Sequence, residues 1–358
     1  MEKTLKIGLL EAKIPVIQGG MGVGISLSTL AGTVAKEGGI GMISTAQIGW
    51  REPDFKKNPF AANYRAIKKE VQKARAIAPG GILGVNIMTV TRNYAQYVRT
   101  AVEAGVDLIV SGAGLPVDLP AYTEGSPVKI APVVSSLKSF LVLKSLLCRL
   151  WERKYQRVPD FVVVEGPKAG GHLGFSQEEL ERFQRDSYDE VLLSIIEKAR
   201  EYGEKVGRKI PVLAAGGIFD KEDMCHALAL GADGVQVGTR FVATEECDAP
   251  KAYKEAYIQA KKEDISIIKS PVGMPARAIR NPFLEQVGEN TTKIQHCYQC
   301  ISTCKQKEIP YCITEALVHA AEGDIEHALL FCGENAWKCE KIEKVKDIMK
   351  EFAEAARM

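Results

Sequence analysis

Eight short runs of β-branched and aliphatic residues, most of them closed at once by glycine, punctuate the chain between Ile14 and Val237. This rhythm of strand followed by tight turn restricts the chain to an α/β architecture. The runs predict strands at 14–18, 40–45, 82–87, 107–111, 129–134, 161–165, 211–215 and 234–237. Most intervening segments have helical spacing and charge, as in NYRAIKKEVQKARAIA and EVLLSIIEKAREYGEKVG. The segment LPVDLPAYTEGSP is the exception, too rich in proline for a long helix. Cores such as VVVEG and GVQVG are continuously apolar, which suits parallel strands covered on both faces by helices. Eight strands with helices over about 250 residues match a (β/α)8 TIM barrel, whereas a doubly wound sheet more often has fewer strands. The expected division is a barrel over residues 1–285 and a cysteine-rich, mainly helical C-terminal extension over 286–358 that packs on it.

Composition narrows the partners. Of the 358 residues, 46% are hydrophobic and 26% charged, and 47 basic against 45 acidic side chains leave a formal charge of +2. So balanced a surface has no field to recruit nucleic acid or an anionic membrane, and a small molecule is the expected partner. The most apolar stretch, 137–151, is interrupted by Lys138, Lys144 and Arg149 and is too short to span a bilayer. The first residues lack an apolar signal core. Nine cysteines, six of them among the last 62 residues, do not form the framework of a disulfide scaffold. A reduced, cytoplasmic protein is expected, and a homo-oligomer is compatible with the sequence.

In such a barrel the chemistry lies just after the strands. The first strand leads into Gly19-Gly20-Met21-Gly22, where the backbone can approach a flat ligand closely, although a plain turn reads the same way. The third carries Asn86, one amide in an apolar run, either a ligand contact or a satisfied core polar group. After the sixth, Gly170, Gly171 and Gly174 frame a single imidazole, His172, which titrates near neutrality and is the candidate catalytic group. His226, His296, His319 and His327 read as solvated or packed. The seventh and eighth strands end in Gly216-Gly217 and Gln236-Val237-Gly238-Thr239, two loops that in barrels offer N–H groups and a hydroxyl to phosphate. No GxGxxG dinucleotide fingerprint accompanies them.

The segments PVIQGGM, GVNIM, SGAG, EGPKAGGHLG, AAGGI, LGADGVQVGTRFVATEEC and ARAIRN occur in that order. In them the chain resembles the FMN-dependent nitronate monooxygenases and the related flavin-dependent enoyl-[acyl-carrier-protein] reductases, from about Leu9 to Asn281. The resemblance implies FMN as cofactor, with Gly20 and Met21 lining the flavin and Asn86 touching its ring. By the same resemblance Gly171 and Gly174 shape the neighbouring loop, and Gly216, Gly217, Gln236, Gly238 and Thr239 hold the phosphate. His172 matches the family's catalytic histidine, as base toward a nitroalkane or partner of a nitronate anion. The implied reaction is oxidation of alkyl nitronates by O2 to a carbonyl compound and nitrite. The NAD(P)H-dependent enoyl reductase is the alternative. Lys168 departs from the family pattern, where Glu is frequent, and the cationic stretch CRLWERKYQRVPD reads as a solvated helix face.

The extension carries Cys297, Cys300, Cys304 and Cys312 in the spacing C-x2-C-x3-C-x7-C. Four such thiols could hold zinc or an iron–sulfur cluster, yet the spacing fits no standard run of either, and packed reduced cysteines are the plain alternative. The metal question stays open at this point. Trp337 is expected to anchor the tail on the barrel. A third reading, of a different class, is a non-flavin barrel that binds a phosphate ligand and carries a metal-stabilised docking tail.

Overall fold

All eight expected runs become strands of one closed, parallel barrel in the computed structural model, which describes residues 3–143, 149–289, 294 and 296–357. In chain order the strands are β1 (Leu5–Ile7), β2 (Leu10–Ala12), β3 (Val16–Gln18), β4 (Ile40–Ser44), β5 (Ile82–Met88), β6 (Leu108–Gly112) and β7 (Lys129–Val134). They continue with β8 (Val162–Glu165), β9 (Gly171–His172), β10 (Val212–Ala215), β11 (Gly234–Val237), β12 (Ile265–Lys269) and β13 (Pro275–Ile279). The barrel runs β3 to β8 in order and closes through β10 and β11. The proline-rich segment between β6 and β7 supplies only the short helix Leu119–Tyr122.

Alternate residues of each strand separate two cores, as the period of two requires. Ile17, Met42, Leu108, Val163 and Leu213 fill the barrel interior, while Val16, Ile43, Val85 and Ile109 face the helices. The hairpin β1–β2, absent from the sequence reading, adds Leu5, Ile7 and Ala12 to the interior cluster. Its turn at Gly8 meets Lys129, the first residue of β7, so the hairpin plugs the end opposite the strand-end loops.

Two polar contacts tie distant parts of the chain to the helical layer. Helix Ser28–Lys36 begins after Leu27, which cannot cap it, and Asp248 accepts from Leu27 N, Thr29 N and Leu30 N at 2.7, 3.2 and 3.2 Å instead. The last helix, Val345–Ala355, packs Ile348, Met349 and Phe352 between helices Ser28–Lys36 and Lys221–Ala229. Arg240, just after β11, fastens it: Nε and Nη2 reach Glu343 at 2.8 and 3.1 Å, and Nη2 also reaches Glu351 at 3.2 Å.

Two expectations need correction. Trp337 is 38% exposed and anchors little, because Phe331, Cys332 and Ala336 take the packing positions. The cationic stretch is not wholly solvated: Trp151, on helix Arg149–Tyr155, is fully buried and donates its Nε1–H to Val117 O at 2.8 Å. Cys148 lies outside the described residues; the other eight cysteines are free of disulfides. Among the described residues no helix is long and apolar enough to cross a membrane.

Close packing of the helical layer on the barrel fixes Gly41. A Cβ there would stand 1.8 Å from Ala31 O on the first barrel helix. Gly41→Ala should therefore cost at least about 3 kcal/mol in chemical denaturation, since backbone rather than a pliable side chain must move. A loss below about 1 kcal/mol would contradict this packing.

Candidate active site

The loops after the barrel strands open onto a cavity of ≈ 480 Å³, and all eleven residues singled out from the sequence line it. They are Gly20, Met21, Asn86, Gly171, His172, Gly174, Gly216, Gly217, Gln236, Gly238 and Thr239. The volume lies within the range of cofactor pockets. Asn86, Gln236 and Glu165 bring polar side-chain ends to this wall without protein hydrogen-bond partners among the described residues, leaving that capacity for a ligand.

Backbone geometry explains the glycines at two places. A Cβ on Gly20 would lie 2.4 Å from Asn86 Cβ, so only glycine lets the first loop settle against the amide. Gly216 and Gly217 have φ of 85° and 99°, in the left-handed region that side chains disfavour. Beyond them, the N–H groups of Gly217, Gly238 and Thr239 find no acceptor in the described chain. They form a corner with spare donors, and the stem of Lys168 lies against Gly217 beside it, Lys168 itself lining the cavity.

Residues 331–335 of the tail close this corner. Gly333 N donates to Thr239 Oγ1 at 3.0 Å, and Asn335 Nδ2 donates to Gly217 O at 2.8 Å. Tyr253 and Tyr257 both donate their hydroxyls to Phe331 O, at 3.0 and 2.5 Å.

His172 is held by a small sheet outside the barrel. β9 pairs antiparallel with β13, opposing His172 to Ala276, and β12–β13 form a hairpin whose turn carries Ser270. Ser270 Oγ lies 2.7 Å from His172 Nε2, and the Phe331 ring packs edge-on at 5.1 Å. Arg277, also on β13 and buried, donates to Pro167 O at 2.9 Å and to Ala169 O, and reaches Glu334 at 3.4 Å. Burial lowers the His172 pKa to about 4, so the ring is neutral at neutral pH. Burial likewise raises Glu165, at the end of β8, to about 7.

Nothing in the sequence alone assigns a site role to Ser270, Phe331 or Glu165. Ser270 is a lone serine in a turn, Phe331 reaches the site from far along the chain, and Glu165 was passed over in favour of the histidine beyond it. Only Glu165 carried a signal, a carboxylate ending an otherwise apolar strand.

Three comparisons with known proteins agree with this architecture. A family model described as nitronate monooxygenase matches residues 3–355. A probable nitronate monooxygenase of Staphylococcus saprophyticus is 26% identical over 313 residues, covering 81% of this chain and 82% of the relative. The solved structure of FabK from Thermotoga maritima is similar with a TM-score of 0.70 and 27% identity, over 97% of this chain and 93% of that one. Nitroalkane oxidase from Streptomyces ansochromogenes, at 20% identity and a TM-score of 0.70 over 97% of both chains, shares the fold.

The half-buried, neutral His172 has a consequence for acid stability. The unfolded chain takes up a proton near pH 6.5, whereas the folded chain resists protonation until about pH 4. The contribution of this residue to stability is therefore intact above pH 6.5 and is lost progressively as the pH falls toward 4. His172→Gln should lose less Tm between pH 7 and pH 5 than the wild type in thermal melts. Equal losses would show that His172 is not held neutral.

Proposed function

Because the chain belongs to the nitronate monooxygenase family, we propose that it is an FMN-dependent oxidoreductase that converts alkyl nitronates, with O2, to a carbonyl compound and nitrite. The family is one of flavin enzymes, and the cavity suits that cofactor. Gly20 permits a close backbone approach beside Asn86, as a planar ring system requires. The spare N–H groups of Gly217, Gly238 and Thr239, with Lys168 alongside, support a single phosphate and hence FMN rather than a dinucleotide. In this reading Lys168, the departure from the family pattern, brings a cation to an anionic group.

Bound flavin would supply the redox chemistry, accepting electrons from substrate and passing them to O2. The chain's own contribution is positioning and proton control. The observation that carries the reading is the His172–Ser270 pair at the cavity wall. If Nε2–H donates to Ser270 Oγ, the Nδ1 lone pair is left for substrate and can accept a proton from the carbon beside a nitro group. With a nitronate, a protonated ring instead balances the substrate's charge. Met21, Phe331 and the two tyrosines surround the site with low-polarity surface, which would strengthen the pairing of a protonated ring with a nitronate once both are charged.

Denaturation of purified protein should release FMN. Anaerobic addition of a small alkyl nitronate should reduce the flavin with no nicotinamide present. Reduction by NAD(P)H alone, followed by reoxidation with an enoyl thioester, would replace this reading with the reductase one. His172→Asn should retain flavin and lose about 10²- to 10⁴-fold in kcat/KM on neutral nitroalkanes, with a smaller loss on pre-formed nitronates. Equal losses on both would reject the base role.

A further inference from the structure

The four cysteines of the tail meet at a place separate from the flavin cavity. Cys297, Cys300, Cys304 and Cys312 line one small cavity of ≈ 20 Å³, walled by Val272, Ile301, Ile309 and Ile313. All four are free of disulfides. The run from 297 to 312 contains neither helix nor strand, only an isolated bridge from Ile301 to Thr91. Its backbone is nevertheless docked: Arg92 N donates to Cys300 O at 3.1 Å, and Ser302 N to Val90 O at 2.9 Å. A structureless stretch of this length in a packed position is unusual, and four thiols around one apolar hole offer the means to fasten it.

From this juxtaposition we infer that residues 297–312 bind an iron–sulfur cluster through the thiolates of Cys297, Cys300, Cys304 and Cys312. Thiolates are the ligands of such clusters, and all four here come from one continuous run, as in cluster-binding loops. Structural zinc sites instead draw their ligands from two separated pairs. Aliphatic side chains line the cavity beside the sulfurs; Cys300, Cys304 and Cys312 are partly buried, and Cys297 is exposed and gives iron a way in. Among the described residues no three Cys, His, Asp or Glu side chains form a ready-made ligand set, and the cavity is no larger than a water, so the loop must open around the iron and sulfide while turning its thiols toward them. A loop without helix or strand can do so at little cost to regular hydrogen bonding.

The location links this site to the flavin cavity. Thr91 lines that cavity and bridges Ile301, while Pro271 and Val272, which line the thiol cavity, directly follow Ser270, the partner of His172. The cluster would stand one layer of residues behind two walls of the flavin site.

The test uses the full chain purified without oxygen. Analysis should find iron and acid-labile sulfide in equal amounts, about two or about four of each per chain, the contents of the two common four-cysteine clusters. A broad visible absorbance should survive removal of flavin and bleach with dithionite. The double variant Cys300→Ser/Cys304→Ser should lose iron and that absorbance while keeping flavin. Should the double variant fail to fold, the single Cys297→Ser, at the exposed position, provides the same comparison. Cys225→Ser, on a barrel helix, should change neither. Three results would each overturn the inference: no iron even after anaerobic incubation with ferrous iron and sulfide, zinc in its place, or unchanged iron in folded cysteine variants.

Discussion

The buried guanidinium of Arg277 is the contact on which the mouth of the barrel depends. It sits on β13, outside the barrel, and joins the carbonyls of Pro167 and Ala169 to Glu334 of the tail. A loop as rich in glycine as 166–174 has little conformational preference of its own, and loop closure alone would leave His172 mobile. The arginine satisfies carbonyls that burial would otherwise strand, and the adjacent pairing of β9 with β13 fixes the imidazole beside Ser270. Burial lowers the pKa of this arginine, yet the side chain stays charged because its ordinary value is so high. Lysine could not replace it: one ammonium cannot present a planar fork to two carbonyls and a carboxylate.

The barrel was legible because its signals are local. Each strand of the barrel is a compact apolar run, and each ends where glycine or a polar residue marks the mouth, so 129–134 and 234–237 match their observed bounds without shift. The cavity-lining residues were legible for the same reason, since in a parallel barrel every strand end converges on one face. The illegible parts rest on contacts between remote segments. β9 has two residues, too few to leave a pattern, and exists only because β13 pairs with it. The hairpin β1–β2 has three residues per strand and is defined by the interior it plugs. Ser270 and Phe331 act at His172 from 98 and 159 positions away along the chain.

The tail joins these two kinds of information. Gly333 and Asn335 hold Thr239 and Gly217, Arg240 grips Glu343 and Glu351, and Val345–Ala355 completes the helical layer. Removing the chain beyond about residue 330 would uncover both the donor-rich corner and the first barrel helix. The tail is thus a structural wall of the site. The match of one family model from residue 3 to residue 355 fits that integration.

The electrostatics of His172 bear on which substrate the site favours. A base works best when its pKa lies near the pH of operation, and a desolvated imidazole at about 4 is a weak acceptor for a carbon-bound proton. A nitronate changes the balance, because the anion places a negative charge beside the ring and raises the cost of leaving it neutral. The ring then draws a proton from solvent, and the anion brings its own counter-ion into being. Glu165 lines the same cavity and while ionised would repel an anion; burial raises its pKa to about 7, so as the pH falls it becomes a neutral hydrogen-bond donor. In the reaction proposed above, the same burial that weakens His172 as a base would favour a substrate that arrives already deprotonated, a nitronate over a nitroalkane, through desolvation.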